Sequence, residues 1–394
     1  MNEAFLVGGL RSAFGRYGGT LAGLRPDDLA ATVIGGVQVR YELKDNEVDE
    51  VVLGCANQAG EDNRNVARMA VLLSGLAVTT PGVTLNRLCG SGLEAIAQAR
   101  RMIATGEADI VMAGGVESMS RAPYVIGKNE QPYGRNPEIF DSTLGWRFVN
   151  ERLAREYGIH SMGETAEEVA SEFEISRLDQ DRFALWSQAK AARAISQGIL
   201  AQEILPIHTG NHIVYEDEHP RKTSLEKLAR LRPAFRRGGS VTAGNSSGIN
   251  DGAAVCLIAS QHAVSRHGWE PLARVGDTAT VGVPPRIMGI GPLRATEKLL
   301  SHTGTAMSEI DTIEINEAFA AQVLASLRGL GLSDSDERVN PNGGAIALGH
   351  PLGASGARLA LSCALQMHRS GAKRGLVTMC IGVGQGIATL LELP

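Results

Sequence analysis

Short apolar runs alternate along the chain with longer stretches in which apolar residues recur every three or four positions. Ala4–Gly8, Glu50–Leu53, Val83–Leu85 and Asp109–Ala113 predict strands, and Asp28–Val39, Asn65–Leu73 and Gly92–Ala104 predict helices between them. Such alternation implies helices layered on a sheet, an α/β fold. The pattern returns later, with strands near Ile310–Ile315 and Gly375–Met379 and helices near Glu317–Leu330 and Ser355–His368. The two stretches are alike in detail. Val48-Asp49-Glu50-Val51-Val52-Leu53 matches Ile310-Asp311-Thr312-Ile313-Glu314-Ile315 at an offset of 262, and Ser91-Gly92 matches Ser355-Gly356 at an offset of 264. We read two duplicated α/β halves with mixed sheets, packed as a pseudo-symmetric pair.

Between the halves the composition shifts. Residues 119–248 hold 11 of the 17 aromatic side chains and most of the charge clusters. This stretch is expected to be an inserted loop domain lying over the sheets and completing a site. Gly252–Ala259 then reads as a strand returning to the first half. The expected domains are therefore 1–118 completed by 249–270, the insert 119–248, and a second half at 271–394.

Composition narrows the function classes. With 43% apolar and 21% charged residues over 394 positions, the chain is globular and long enough for two or three domains. Its net charge of −5 argues against a dedicated nucleic-acid binder. No apolar run reaches the roughly 18 residues of a membrane helix, and the start has no secretory pattern. Cys55, Cys89, Cys256, Cys363 and Cys380 form no CxxC pair and no disulfide framework. Free thiols in a reducing, cytoplasmic setting are expected. His208 and His212 have the spacing of a helical metal pair, but Thr-Gly-Asn between them disfavours a helix, so no metal is expected.

Three Gly-rich segments carry the candidate chemistry. In Asn86-Arg87-Leu88-Cys89-Gly90-Ser91-Gly92, a strand turns into a helix, and the helix dipole at that end favours a thiolate. A small buried core cysteine is the competing reading. In Gly349-His350-Pro351, a histidine is fixed by loop geometry just before a helix, where it could serve a cysteine as general base or be merely structural. Met379-Cys380-Ile381-Gly382-Val383-Gly384-Gln385-Gly386 tempts toward a dinucleotide loop. Too little chain follows for the helix and strand that such a loop requires, so Ile387–Leu391 reads as an antiparallel strand after a short turn. There Val383, being β-branched, is expected at negative φ, with Gly382 or Gly384 taking any left-handed conformation. The basic run of residues 221–237, beginning at Arg221, could attract a phosphorylated ligand or be a solvated face.

Taken in order, Asn86–Gly92, Gly-Gly-Val-Glu-Ser-Met-Ser (114–120), Thr-Ala-Gly-Asn-Ser-Ser-Gly (242–248), Asn-Glu-Ala-Phe-Ala (316–320), Gly-His-Pro-Leu-Gly (349–353) and Cys-Ile-Gly (380–382) resemble the thiolase family over essentially the whole chain. The resemblance implies an acyltransferase with no resident cofactor and coenzyme A as a substrate. Cys89 would take the acyl group, His350 would activate Cys89, and Cys380 would move the α-proton of acetyl-CoA. Asn316 would hold a water at the enolate oxygen, and the Cys89 and Gly382 N–H groups would form an oxyanion hole. Ser247 would touch pantetheine, with Met162, Met288 and Phe319 lining its tunnel, and the assembly would be a homotetramer. Two departures from the common pattern are Ser161, where many thiolases have His, and Val383, where many have Gly. Residues 54–70 and the Gly-Val-Gly-Gln-Gly ending are similar to the β-ketoadipyl-CoA branch. A 3-oxoadipyl-CoA substrate is expected ahead of acetoacetyl-CoA or a broader 3-oxoacyl-CoA, and ahead of an acyl-CoA binder without turnover. Arg64, Arg68 and Arg87 are the candidates to meet its far carboxylate.

Overall fold

The apolar segments assemble one sheet of 11 strands in the computed structural model, which describes every residue except Met1, Glu130 and Asn211. Its continuous path uses β1 (Ala4–Ser12), β2 (Glu50–Gly54), β3 (Gly82–Leu85), β4 (Ile110–Ser118), β5 (Asn250–Ser260), β6 (Ala273–Gly282), β7 (Thr312–Ile315), β8 (Arg374–Ile381) and β9 (Gln385–Glu392). The spatial order is β7-β8-β9-β6-β1-β5-β4-β2-β3. From the β1–β6 seam outward, the same succession runs both ways. β5 and β9 are antiparallel to their inner neighbours, β4 and β8 are antiparallel to those, and the next strand out is parallel. The seam itself pairs only Phe5 with Arg274 and Leu6 with Ala273.

Helices cover both faces, as buried parallel strands require. α1 (Pro26–Arg40) and α2 (Val66–Ser74) pack on one face of the first half through Leu29, Ile34, Val66 and Val71. The opposite face is shared: α3 (Ser91–Thr105) and α8 (Leu352–Ser370) join residues of both halves in one core, with Leu93, Ile96 and Leu359 meeting Val111, Val377 and Ile387. α6 (Gly291–Thr303) and α7 (Ala320–Gly329) cover the far face of the second half. The insert contributes α4 (Met162–Glu172), α5 (Arg177–Ser196) and two small hairpins. His208 and His212 lie on the strands of one hairpin.

Two boundaries differ from the sequence pattern for electrostatic reasons. β1 runs past its expected end at Gly8 to Ser12, with Arg11 fully buried against Glu203 (2.7 Å) and Asp217 (2.6 Å). Those two acids belong to the insert, so the pair also ties it to the sheet. α7 starts at Ala320, not Glu317, because Glu317 is buried and accepts from Ser187 Oγ (2.6 Å), Asn340 Nδ2 (2.7 Å) and the Ile346 N–H (3.1 Å).

α3 and α8 approach so closely that their contact has no room for a side chain. A Cβ on Gly92 would lie 2.5 Å from the Gly353 oxygen, and one on Gly356 would lie 2.2 Å from the Leu93 nitrogen. These glycines are the pair matched by the sequence repeat. Alanine at an open helical position normally gains about 1 kcal/mol over glycine. At Gly356 the neighbour is backbone and cannot rotate away, so Gly356→Ala should lose about 3 kcal/mol to overpacking. Urea denaturation checks this; a variant as stable as the parent contradicts the close crossing.

Candidate active site

Cys89 sits on a tight elbow between β3 and α3. Leu88 is left-handed there (φ 47°). Asn86 Oδ1 accepts from the Leu88 N–H (2.8 Å), while Ser91 Oγ accepts from the Arg87 N–H (2.8 Å) and donates to the Leu88 carbonyl (2.6 Å). A non-glycine residue in this conformation is held by its surroundings at some cost, a pattern concentrated at functional sites. The helix start was expected to favour a thiolate, but burial outweighs it. Burial pushes the Cys89 thiol up to about 11, with hydrogen bonding from the Gly382 N–H pulling partly the other way.

Gly382 belongs to the turn between β8 and β9, the antiparallel hairpin expected from the sequence. Cys380, the last buried residue but one of β8, has its thiol pushed well above the ordinary range by burial and then by the nearby Cys89. Val383 overturns the expectation of negative φ. It lies at φ 61°, followed by Gly384 at 81°, while Gly382 stays out of the left-handed region. The Gly382 N–H serves Cys89, and Gly384 is pressed against the Val283 carbonyl (2.2 Å from a built Cβ). The reversal of the chain is therefore left to Val383 and Gly384 together. The Val383 side chain is 42% exposed, so no packing opposes the strained backbone.

His350 precedes α8, between a left-handed Gly349 (φ 104°) and Pro351. Its N–H donates to Asn250 Oδ1 (2.9 Å). Ser355 Oγ donates to the Pro351 carbonyl (2.9 Å), so at the 2.6 Å contact with His350 it accepts the Nδ1 proton. That network assigns the lone pair to Nε2, which lies 3.3 Å from Asn316 Nδ2. Burial, helped by the cationic Arg358, lowers the imidazole to about 3, so it is neutral at pH 7. Asn316 Oδ1 is buried and has no hydrogen-bond partner among the described residues.

Around these groups the structure places two walls. Met162, Met288, Phe319 and Cys380 share one apolar cluster with Ala166, Val241 and Ala318. The Ser247 N–H donates to the Ala318 carbonyl (2.9 Å), and Phe235 stacks edge-on against Phe319. Arg221 donates to the Ala243 carbonyl (3.1 Å). The second wall is a cavity of about 460 Å³ that opens onto Cys89, Gly382 and Met162. Its other lining includes Glu117, part of the 114–120 motif, and Trp146, Arg147, Phe148 and His160 of residues 119–248, four residues that sequence reasoning did not single out. The aromatic enrichment of the insert was their one available signal. Ser161, the departure noted above, caps α4 through a reciprocal bond with Glu164.

Glu117 has a structural task as well. Its carboxylate accepts from the N–H groups of Ala56 (2.9 Å), Asn57 (3.0 Å) and Gly353 (2.9 Å), so it clamps the first turn of α8 beside His350. Burial pushes it up to about 7 despite those bonds. Cys55 and Asp62 lie close enough to make a metal-like trio with Glu117, but Asp62 is also occupied, by the Gln58 and Gly60 N–H groups. The trio reads as a hydrogen-bonded brace. Arg68 donates to the Thr80 and Val78 carbonyls, Arg87 pairs with Glu94 (2.9 Å), and Arg64 is exposed. None of these three lines the cavity, contrary to expectation.

Residues 4–262 match the family model of the thiolase N-terminal domain, and residues 269–393 match that of the thiolase C-terminal domain. The chain belongs to the thiolase family. The β-ketoadipyl-CoA thiolase of Pseudomonas putida is 54% identical over 100% of both chains. The 3-oxoadipyl-CoA/3-oxo-5,6-dehydrosuberyl-CoA thiolase of Escherichia coli strain K12 is 55% identical over 100% of both. The crystal structure of human mitochondrial 3-ketoacyl-CoA thiolase in complex with CoA matches with a TM-score of 0.92 and 38% identity, covering 100% of this chain and 98% of that one. This thiolase is an acyltransferase, as the family resemblance implied, and no helix among its described residues is long and apolar enough to cross a membrane.

The state of His350 carries a pH signature. Between its ordinary value of 6.5 and about 3, the unfolded thiolase binds a proton there and the folded one does not. Stability contributed by neutral His350 is thus complete above pH 6.5 and falls by roughly 1.4 kcal/mol per pH unit below it. Glu117, protonated more readily when folded, acts in the opposite sense between 4.5 and about 7. The difference between parent and His350→Gln in urea midpoints from pH 7 to 4 isolates the first effect. The parent should lose stability faster on acidification; parallel curves contradict a buried neutral imidazole.

Proposed function

We propose that this thiolase cleaves 3-oxoadipyl-CoA with coenzyme A to succinyl-CoA and acetyl-CoA, or runs the reverse condensation. The observation that carries the substrate is the full-length identity of 54% and 55% with relatives whose names state it. Cys89 is the nucleophile in this account. Its sulfur attacks the 3-keto carbon while the proton passes to His350 Nε2. The raised thiol and the lowered imidazole both disfavour a free resting ion pair. Proton transfer in concert with formation of the C–S bond is the favoured order.

The tetrahedral oxyanion is met by the Gly382 and Cys89 N–H groups, which already act on the sulfur. Collapse breaks the bond between the α- and β-carbons, leaving succinyl on Cys89 and the enolate of acetyl-CoA. That enolate takes its proton from Cys380, whose raised value keeps it a thiol at rest. His350 and a water on the unpartnered Asn316 Oδ1 hold the enolate oxygen. The thiol of coenzyme A then attacks the thioester carbonyl, giving its proton to the Cys380 thiolate, and Cys89 leaves with the proton that His350 Nε2 held. For CoA itself, the apolar cluster of Met162, Met288 and Phe319, with Ser247 beside it, fits the pantetheine arm, and Arg221 the phosphates.

The two cysteines should fail differently. Incubated with acetyl-CoA, Cys380→Ala should still become acetylated on Cys89, because that half-reaction makes no carbanion, while condensation and cleavage are lost. Cys89→Ala should form no acyl-enzyme. Intact-protein mass spectrometry reads both; an unlabelled Cys380→Ala protein or a labelled Cys89→Ala one reverses the roles.

A further inference from the structure

The substrate reading leaves one charge unaccounted for. Succinyl on Cys89 carries a carboxylate two methylene groups beyond the carbonyl that the cysteine attacked. Burying such a group without a partner would be expensive. We infer that Arg147 of the insert binds this carboxylate and so selects the dicarboxylic acyl chain; the inference rests on the substrate reading above.

Several observations converge on it. Arg147 lines the same cavity as Cys89 and Gly382, whereas Met288, Phe319 and Cys380 belong to a separate apolar cluster that does not line it. An acyl chain on Cys89 that leaves room for CoA along that cluster extends into this cavity. Arg147 is half-buried, yet among the described residues it makes no ion pair. Its only hydrogen bonds are long ones, from Nη2 to the carbonyl and Oδ1 of Asn57, both at 3.4 Å. A guanidinium so placed keeps its bidentate face open to a carboxylate.

The surrounding charge agrees. Glu117 is the one carboxylate among the cavity's described residues, and its oxygens are taken by three backbone N–H groups. Held near 7 by burial, it is only partly ionised at neutral pH and repels a second carboxylate weakly. The turn that presents Arg147 is fixed at both ends. Asn57 Nδ2 donates to the Ser142 carbonyl (3.0 Å), and Trp146 Nε1 donates to the His160 carbonyl (3.3 Å). Leu144 and Phe148 flank it, giving apolar surface for the methylene groups.

The test is the ratio of kcat/KM for 3-oxoadipyl-CoA to that for 3-oxohexanoyl-CoA, measured in the parent, Arg147→Lys and Arg147→Gln. A charge-assisted hydrogen bond of about 1.5–3 kcal/mol corresponds to roughly 10- to 150-fold. The parent should favour the charged substrate by at least about tenfold, and Arg147→Gln should erase that preference. Arg147→Lys should retain part of it, since a point charge replaces the bidentate fork. A parent without preference overturns the substrate reading itself. A parent preference that survives in Arg147→Gln places the cation elsewhere and overturns this inference alone. Loss of both activities in equal proportion, with the ratio intact, also overturns it, because Arg147 would then only hold the turn. Should Arg147→Gln fail to fold, Arg147→Lys decides: a ratio below the parent's supports the inference, and a ratio equal to the parent's overturns it.

Discussion

Contact between α3 and α8 without intervening side chains is the constraint on which the rest depends. Gly92 faces Gly353 and Gly356 faces Leu93 at distances that admit no Cβ, and Gly115 on β4 presses on Gly353 from the sheet. Each helix begins where a loop carrying a candidate catalytic residue ends, Cys89 before α3 and His350 before α8. Locking the two helices together fixes the two loops relative to each other, which side-chain packing at ordinary spacing would leave adjustable. Glu117 adds a second lock by tying the first turn of α8 to residues 56 and 57.

Burial then sets the chemistry. Burial raises the Cys89 and Cys380 thiols and lowers the His350 imidazole, which favours neutral groups at rest. A stable thiolate–imidazolium pair, the arrangement suggested by a cysteine at a helix start, is therefore disfavoured. In the proposed mechanism the site holds acids and a base whose protons move as substrate charge develops nearby, the condition under which preorganised dipoles act most strongly. Backbone strain at Leu88 and Val383 lies on the two loops flanking Cys89, and the fold supports it through the hydrogen-bonded elbow and the short hairpin.

Most of the fold was legible because its strands are short apolar runs and its repeat preserves a recognisable pair, Ser91-Gly92 and Ser355-Gly356. The strongest local signals were glycine and proline beside Cys89, His350 and Cys380, since these residues dictate backbone shape within a few positions. What escaped depends on distant partners. The first strand was expected to end at Gly8, but it runs on through Arg11, whose charge is met by Glu203 and Asp217. Val383 looked incapable of positive φ, yet Cys89 and the Val283 carbonyl constrain the glycines on either side of it. Arg147 sits in no motif; only the folded insert brings it to the cavity of Cys89, while the three arginines beside the motifs are exposed or occupied with Glu94 and backbone carbonyls.

The central claim is that the acyl group retained on Cys89 is the dicarboxylic fragment. Acid quenching of the parent enzyme with 3-oxoadipyl-CoA in the absence of free coenzyme A, followed by peptide mass spectrometry, tests it most directly. The account predicts a succinyl adduct on the peptide carrying Cys89 and none on the peptide carrying Cys380; a succinyl group on Cys380, or no adduct on either cysteine while cleavage proceeds, would contradict it.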